Sequence, residues 1–264
     1  MRHTAHMFSL TMLLIPVGLV AGVLAGLFGI GGGLVIVPIV TLLLIEQGMS
    51  AEWALPTAIA TSLGSMLITA PGAVHSHAKK MPIDFGTLLR LAPGVMLGGV
   101  LGAWLATELP VMWLGIVFAV LVSLIGLHLL AGLAPKPSNR LPQVRGTWWT
   151  GPLIGTTSAL MGIGGGSLVV PYLIWNGFRS VQAVAIASAT GWLLALSGTV
   201  GFLLAEPRYL DATNILVIGV CGLVATPVGV GLAHRLSSAR LGRLFGLLLI
   251  VVAFRMLWQI HNPT

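Results

Sequence analysis

Two stretches of the sequence share one unusual phrase: residues 28–38 read FGIGGGLVIVP, and residues 161–171 read MGIGGGSLVVP. In each copy the glycine triplet opens a short apolar run of 12 residues, at 34–45 and at 167–178. A helix of that length is about 18 Å long, whereas the hydrocarbon core of a membrane is about 30 Å thick. The phrase therefore predicts an internal duplication in which each half carries a short or broken helix.

Composition places the chain in a membrane. Of its 264 residues, 56% are hydrophobic and 7% are charged, and the mean hydropathy is +1.01, whereas soluble domains carry about 25% charged residues. The 13 basic residues are spread over the loops and form no patch, which excludes a nucleic-acid partner. Cys221 is the only cysteine, which excludes a disulfide framework and a cysteine-based zinc site.

The longer apolar runs predict the membrane-spanning helices. We expect them at 7–30, 54–75, 86–106, 110–133, 183–204, 212–233 and 241–260, and at 148–163, which is slightly short for a span. Residues 134–147 contain three prolines and three basic residues without apolar periodicity, so they are predicted to form a linker. The prediction is an all-α, polytopic membrane protein with a first repeat at 1–133 and a second at 148–264, each of about five helical segments.

Loop charges predict that the second repeat is inverted. If Lys79 and Lys80 lie in the cytoplasm, only Arg2, Arg208 and Arg255 among the 13 basic residues fall outside, as the positive-inside rule requires. Five segments are an odd number, so equivalent segments of the two halves cross in opposite directions. Inverted repeats of this kind underlie many secondary transporters. The linker is then cytoplasmic, and the protein is expected in an inner or plasma membrane as a multi-pass protein.

Three interpretations of the glycine phrases compete. A nucleotide-binding loop needs a preceding strand and a following lysine or acidic residue, and apolar helices flank both phrases instead. Close helix packing needs small residues spaced along one face. A break in the helix fits consecutive glycines best, because each disfavours helix by about 1 kcal/mol relative to alanine. We favour the break, with Pro38 and Pro171 as structural hinges.

A break at membrane depth also predicts a binding site. The first N–H groups of the next helix lack partners and form the positive end of its dipole, and only protein or a watery cavity can receive them. No charged residue is expected at mid-depth, so two inverted helix starts would hold a small anion in a shared pocket. The predicted substrate-binding residues are Gly31, Gly32, Gly33, Gly164, Gly165, Gly166 and Ser167, with the hydroxyls of Thr61, Ser62, Ser188 and Thr190.

The paired GIGGG…VP phrases are each followed by an Ala-rich segment, AIATS at 58–62 and AIASA at 185–189. Together they resemble the sulfite exporter TauE/SafE family of membrane proteins over about 8–260. The resemblance implies a transporter linked to sulfite, sulfonates and other organosulfur anions. Ala189 stands where the first copy has Ser62, so the resemblance carries no hydroxyl to that position.

We therefore expect a secondary transporter, and specifically an exporter, of small organosulfur anions or sulfite-like oxyanions by alternating access. The alternative is a non-transporting membrane subunit or assembly factor of a sulfur-metabolism or respiratory complex. No enzyme, cofactor or metal site is predicted, because the chemistry-bearing clusters of an active site are missing from the sequence. The expected partners are the lipid bilayer and a small anionic substrate, and a homo-oligomer stays open. Cys221 is interpreted as a thiol near the substrate or as a small buried apolar residue, and His128 as a proton relay or an interfacial ring.

Overall fold

The computed structural model describes residues 2–28, 32–131, 147–233 and 238–261. Within these ranges the chain forms ten α-helices, one short 3-10 helix (Pro207–Tyr209) and no strand, which confirms the predicted all-α fold. The helices are α1 (Arg2–Phe28), α2 (Gly33–Glu46), α3 (Ala51–Lys80), α4 (Phe85–Glu108), α5 (Val111–Ala131), α6 (Thr147–Leu160), α7 (Gly166–Trp175), α8 (Ser180–Ala205), α9 (Ala212–Ala233) and α10 (Ser238–His261).

The helices fall into long and short classes. Among the described residues, five contain stretches long and apolar enough to cross a membrane: Ala51–Lys79, Phe85–Glu108, Val111–Ala131, Ser180–Ala205 and Ala212–Gly229. In contrast, the helices that follow the glycine phrases are short: α2 has 14 residues and α7 has 10, which correspond to about 21 and 15 Å. α6, which precedes the second phrase, also has only 14 residues. The predicted polytopic arrangement is thus confirmed, as is the short helix after each glycine phrase.

The two short helices end in the same way. Gly48 follows α2 with φ 90°, and Gly177 follows α7 with φ 91°. In both cases the glycine N–H and the next N–H donate back to carbonyls of the last helical turn, at 2.9–3.0 Å. This is the Schellman motif, which needs one residue in the left-handed backbone conformation, and glycine adopts that conformation without strain. Both short helices are therefore stopped by local sequence.

Close approaches between helices give their relative directions. A Cβ built on Gly64 would meet Ile215, and one on Gly72 would meet Leu223, so α3 and α9 run parallel. By the same criterion, α1 is parallel to α9, and α4 is parallel to both α6 and α8. The pairs α5 and α10, and α3 and α8, are antiparallel. Equivalent helices of the two predicted repeats (α1 and α6, α3 and α8, α4 and α9, α5 and α10) thus run in opposite directions. The inverted repeat stays a prediction, and these directions favour it.

The bundle has two chemically different ends. At the basic end α3 stops and α4, α6 and α8 begin, and Lys79 and Arg179 lie there. At the acidic end α3 begins and α8 stops, and Glu52 and Glu206 lie there. Residues 132–146, which include nearly all of the predicted linker 134–147, lie outside the described residues, so the division into two repeats stays a prediction.

Aromatic and charged side chains close the acidic end. The Tyr209 ring lies 4.9 Å from the Trp53 ring and 6.2 Å from that of Phe202, so the 3-10 helix joins α3 to α8. Arg208 lies over the Trp53 ring, 5.5 Å from its centroid, and donates two hydrogen bonds to Glu206 at 2.9 and 3.1 Å. These bonds hold the pKa of the Glu206 carboxyl below its usual value.

Candidate functional site

The second glycine phrase is a break between two helices. α6 ends at Leu160, where Gly162 adopts φ 60° and the N–H groups of Gly162 and Ile163 donate back to the last turn at 3.0 and 2.9 Å. The chain starts a helix again at Gly166. Residues 161–165 between the two helices are buried. The triplet therefore places irregular backbone inside the protein, as its propensity predicts.

The start of α7 leaves backbone donors without partners. Within the described chain, the N–H groups of Gly164, Gly165, Gly166 and Leu168 meet no acceptor, whereas the Val169 N–H donates to the carbonyl of Gly165 at 2.8 Å. Unpaired buried N–H groups are rare in folded proteins because each costs about 1–3 kcal/mol. A cluster of such donors at the positive end of a helix is a ready binding site for an anion.

One of these donors lies next to a gap in α8. A Cβ built on Gly191 would lie 3.2 Å from the Gly165 nitrogen, 3.8 Å from the Gly165 Cα and 4.0 Å from the Gly164 carbonyl carbon. With standard bond lengths these distances place that carbon on the N–H side of the nitrogen, roughly 45° from the N–H axis. A side chain at residue 191 would therefore begin beside the Gly165 N–H group. Only glycine at 191 leaves that space open.

A cavity of about 40 Å³ lies against this helix start. Such a volume holds a few water molecules or a guest of a few non-hydrogen atoms. The residues that line it carry no charge, and they come from α1, α3, the second glycine phrase, α8 and α9: Ala25, Met66, Thr69, Ala70, Ala73, Gly164, Gly165, Gly166, Ala187, Ser188, Gly191 and Thr226.

The cavity lies in the half of the bundle nearer the basic end. Met66 is at the midpoint of α3, and Thr69 and Ala73 follow it toward Lys80 by about 4.5 and 10.5 Å. Toward the acidic end, residues 54–66 of α3 are all buried; toward the basic end, residues 67–79 are half-buried or exposed. α3 is therefore enclosed by protein on the acidic side of the cavity and is less enclosed on the basic side.

Hydroxyl groups line the cavity but already donate to their own helices. Ser188 donates to the Ala185 carbonyl at 2.8 Å, Thr226 to that of Gly222 at 2.8 Å, and Thr69 to its own helix at 3.3 Å. Such back-bonding is the usual state of a hydroxyl within a helix. In this arrangement the unpaired donors at the cavity are backbone N–H groups, and the hydroxyls donate only if they rotate.

The described part of the first glycine phrase, from Gly32 onward, lies beside the second phrase and is not part of the cavity lining. Gly31 lies outside the described residues. Gly32 caps α2, and a Cβ built on it would lie 2.7 Å from the Ala21 side chain. A Cβ on Gly33 would lie 2.0 Å from the carbonyl oxygen of Gly162 and 2.9 Å from the Ser62 hydroxyl. The two phrases are thus in direct backbone contact.

The remaining predicted residues do not line the cavity, and two of them, Ser62 and Ser167, donate hydrogen bonds to the break. Ser62 is fully buried and donates to the Gly162 carbonyl at 2.7 Å, and Ser167 donates to that of Gly164 at 3.3 Å. Thr190 is fully buried and donates within α8. The Thr61 hydroxyl is buried without a partner among the described residues, and it lies about 140° around α3 from Met66.

The two predicted hinge prolines, Cys221 and His128 are not part of the cavity lining. Pro38 lies buried inside α2, and Pro171 lies half-buried inside α7. Cys221 is half-buried and packs against Gly18 of α1, away from the cavity lining. His128 is exposed in the last turn of α5.

The predicted site residues leave out most of the cavity lining, and Gly191, Met66 and Thr226 are among the residues that were missed. The signal for Gly191 is its position one residue after the ASAT stretch, on the helix that packs beside α7. In the described part of the chain, no group of His, Cys, Asp and Glu side chains is arranged to hold a metal ion.

Comparison with known proteins assigns the chain to a family. The family described as Sulfite exporter TauE/SafE matches residues 14–256. A probable membrane transporter protein of Haemophilus influenzae is 33% identical over 95% of this chain and 99% of its own length. Similar proteins of the same description occur in Xylella fastidiosa, at 29% identity over 92% of this chain and 93% of its own, and in Methanocaldococcus jannaschii, at 26% over 93% and 94%. No solved structure matches the chain. The names denote membrane transporters rather than enzymes, and the chain belongs to the sulfite exporter TauE/SafE family.

Proposed function

We propose that this membrane transporter exports small organosulfur anions or sulfite-like oxyanions by alternating access between its two inverted halves. The proposal rests on one observation above all: unpaired N–H groups at the start of α7 border an uncharged cavity. A cation would need carboxylates at this depth, and none of the described residues that line the cavity carries one. The alternative of a non-transporting subunit draws no support from relatives that are named as transporters.

The same geometry supports binding that is reversible. A hydrogen bond to a charged group contributes about 1.5–3 kcal/mol, and a helix end adds about 0.3–2 kcal/mol. A fixed Lys or Arg inside the membrane would bind an anion more firmly and slow its release. Backbone donors therefore suit a guest that must leave on each transport cycle.

Charge distribution supports export. The cavity lies toward the basic end, which the positive-inside rule places in the cytoplasm. Exposed cations such as Lys79 and Arg179 raise the local concentration of anions at that end. When a monovalent anion leaves an interior that is electrically negative, its free energy falls by about 2.3 kcal/mol for each 100 mV. The membrane potential alone therefore favours outward movement of the proposed substrate.

Flux from proteoliposomes tests this function. Vesicles that contain the purified protein are loaded with labelled sulfite, and a potassium gradient with valinomycin sets the interior negative. We expect efflux that exceeds that of protein-free vesicles, that rises with the potential, and that unlabelled sulfonates or thiosulfate inhibit. Flux that responds only to a metal cation, or no flux with any of these anions, would refute the proposal.

A further inference from the structure

A second concave surface lies on the outside of the bundle, between α4 and α6. It has a volume of about 410 Å³, which is within the usual range for a ligand pocket. Its walls are Leu89, Arg90, Pro93, Gly94 and Leu97 of α4 and Thr147, Trp148 and Pro152 of α6, and we call it the α4–α6 groove. None of these residues lines the cavity at α7.

The groove is polar at one end and apolar at the other. Arg90, Thr147 and Trp148 lie near the starts of their helices, at the basic end of the bundle. Leu97 lies about 10 Å further along α4 than Arg90, and its side chain is 56% exposed. Trp148 is 88% exposed, as is typical of a tryptophan at the boundary between headgroups and hydrocarbon. The polarity gradient is that of an amphiphile whose head faces the basic end.

Arg90 forms no direct ion pair within the described part of the chain. Its guanidinium is exposed. The nearest acidic residue along the chain, Asp84, interacts with Arg90 electrostatically beyond ion-pair distance, and its carboxylate already accepts from the Thr87 hydroxyl at 2.7 Å and from the Gly86 N–H at 3.0 Å. An unpaired arginine on a lipid-facing surface near the membrane boundary is stabilised by lipid phosphate.

We propose that the α4–α6 groove binds an anionic phospholipid of the leaflet at the basic end. Arg90 pairs with the phosphate, and Thr147 and Trp148 contact the headgroup region. An acyl chain lies along Leu89, Pro93 and Leu97. Gly94 has no side chain, which leaves the groove deep where the two helices meet. The site is separate from the proposed anion cavity, so it stands whether or not the protein transports sulfite.

Native mass spectrometry of the full chain in detergent tests this site. The protein is titrated with phosphatidylglycerol and, in parallel, with phosphatidylcholine of the same acyl chains. We expect a one-lipid adduct that favours phosphatidylglycerol. In Arg90→Gln its apparent affinity should fall about fivefold, the contribution of one basic residue at an anionic surface, whereas Arg90→Lys keeps most of it. The matched control is Arg255→Gln, because Arg255 lies at the acidic end near Glu46.

Two further measurements distinguish binding of a lipid from binding of a soluble anion and from a folding defect. Glycerol phosphate carries the same phosphate without acyl chains, so at millimolar concentration it should not displace the lipid. Trp148→Ala leaves Arg90 in place but removes a wall of the groove, and it should also weaken the adduct. Equal binding of both lipids, an undiminished adduct in Arg90→Gln, or displacement by glycerol phosphate would each overturn the proposal.

Discussion

The substitution Gly191→Ala probes the site with a single methyl group. The new carbon would lie 3.2 Å from the Gly165 nitrogen, on the side of its N–H group. An oxygen acceptor must approach that nitrogen to about 2.9 Å, so the methyl group occupies the place of the guest. Loss of one hydrogen bond to a charged group costs about 1.5–3 kcal/mol. We therefore expect sulfite to bind roughly 10- to 150-fold more weakly.

The fold should tolerate this change. Gly191 lies inside α8, where alanine is favoured over glycine by about 1 kcal/mol, and that gain offsets part of the crowding against Gly165. The matched control is Gly231→Ala, because Gly231 is also helical but a Cβ there has nothing within 4 Å. Sulfite affinity is measured from ligand-dependent shifts of the melting temperature and from the concentration dependence of proteoliposome efflux. Wild-type affinity in a folded Gly191→Ala protein would refute the assignment of the site to the start of α7.

Three further changes test the surrounding structure. Gly33→Ala would place a carbon 2.0 Å from the Gly162 carbonyl oxygen, so overpacking should lower the free energy of unfolding by about 1–3 kcal/mol; an unchanged melting temperature would contradict this contact. Trp53→Ala removes a ring pair and a cation–π contact, which contribute about 0.5–1.5 and 0.5–1 kcal/mol. The melting temperature should therefore fall, and Trp53→Phe should retain part of the lost stability. The hydrogen bond from Thr87 lowers the pKa of the Asp84 carboxyl below its usual value of 3.8, so its stabilisation is present above that value and is lost as pH falls through the lowered pKa. Asp84→Asn, which still caps the helix, should abolish this acid-dependent loss in a pH series of melts, and a residual loss of equal size would contradict it.

The sequence predicts the helix breaks because they depend on local backbone energetics. Three consecutive glycines disfavour helix wherever they occur, and Gly48 and Gly177 stop the short helices by the same local rule. The predicted long spans agree with the observed helices to within a few residues for most elements. These features need no knowledge of which helices pack together.

The composition of the cavity depends on tertiary contacts and was predicted only in part. Gly164, Gly165, Gly166 and Ser188 line it as expected. Gly191 lines it because α7 packs on α8 at that level, and no local signal fixes such a register. Thr61 was placed in the site because it matches Ser188 in the repeat. Its position around α3 faces it away from the cavity, whereas Ser188 of α8 lines the cavity.

The different positions of the two glycine phrases lead to a prediction if the proposed inverted repeat works by alternating access. In an inverted repeat, the two halves exchange conformations when the site opens to the other side. Here the second phrase borders the cavity, while Gly33 of the first phrase is pressed against the Gly162 carbonyl. The exchange would separate these two backbones and uncover the start of α2 toward the acidic end, while α8 closes over the start of α7. Cysteine placed at Gly32 should then react with a membrane-impermeant thiol reagent from the acidic side faster when transport is under way than when it is arrested. A reactivity that does not change with turnover would mean that the contact between the phrases is static and that the two halves do not exchange.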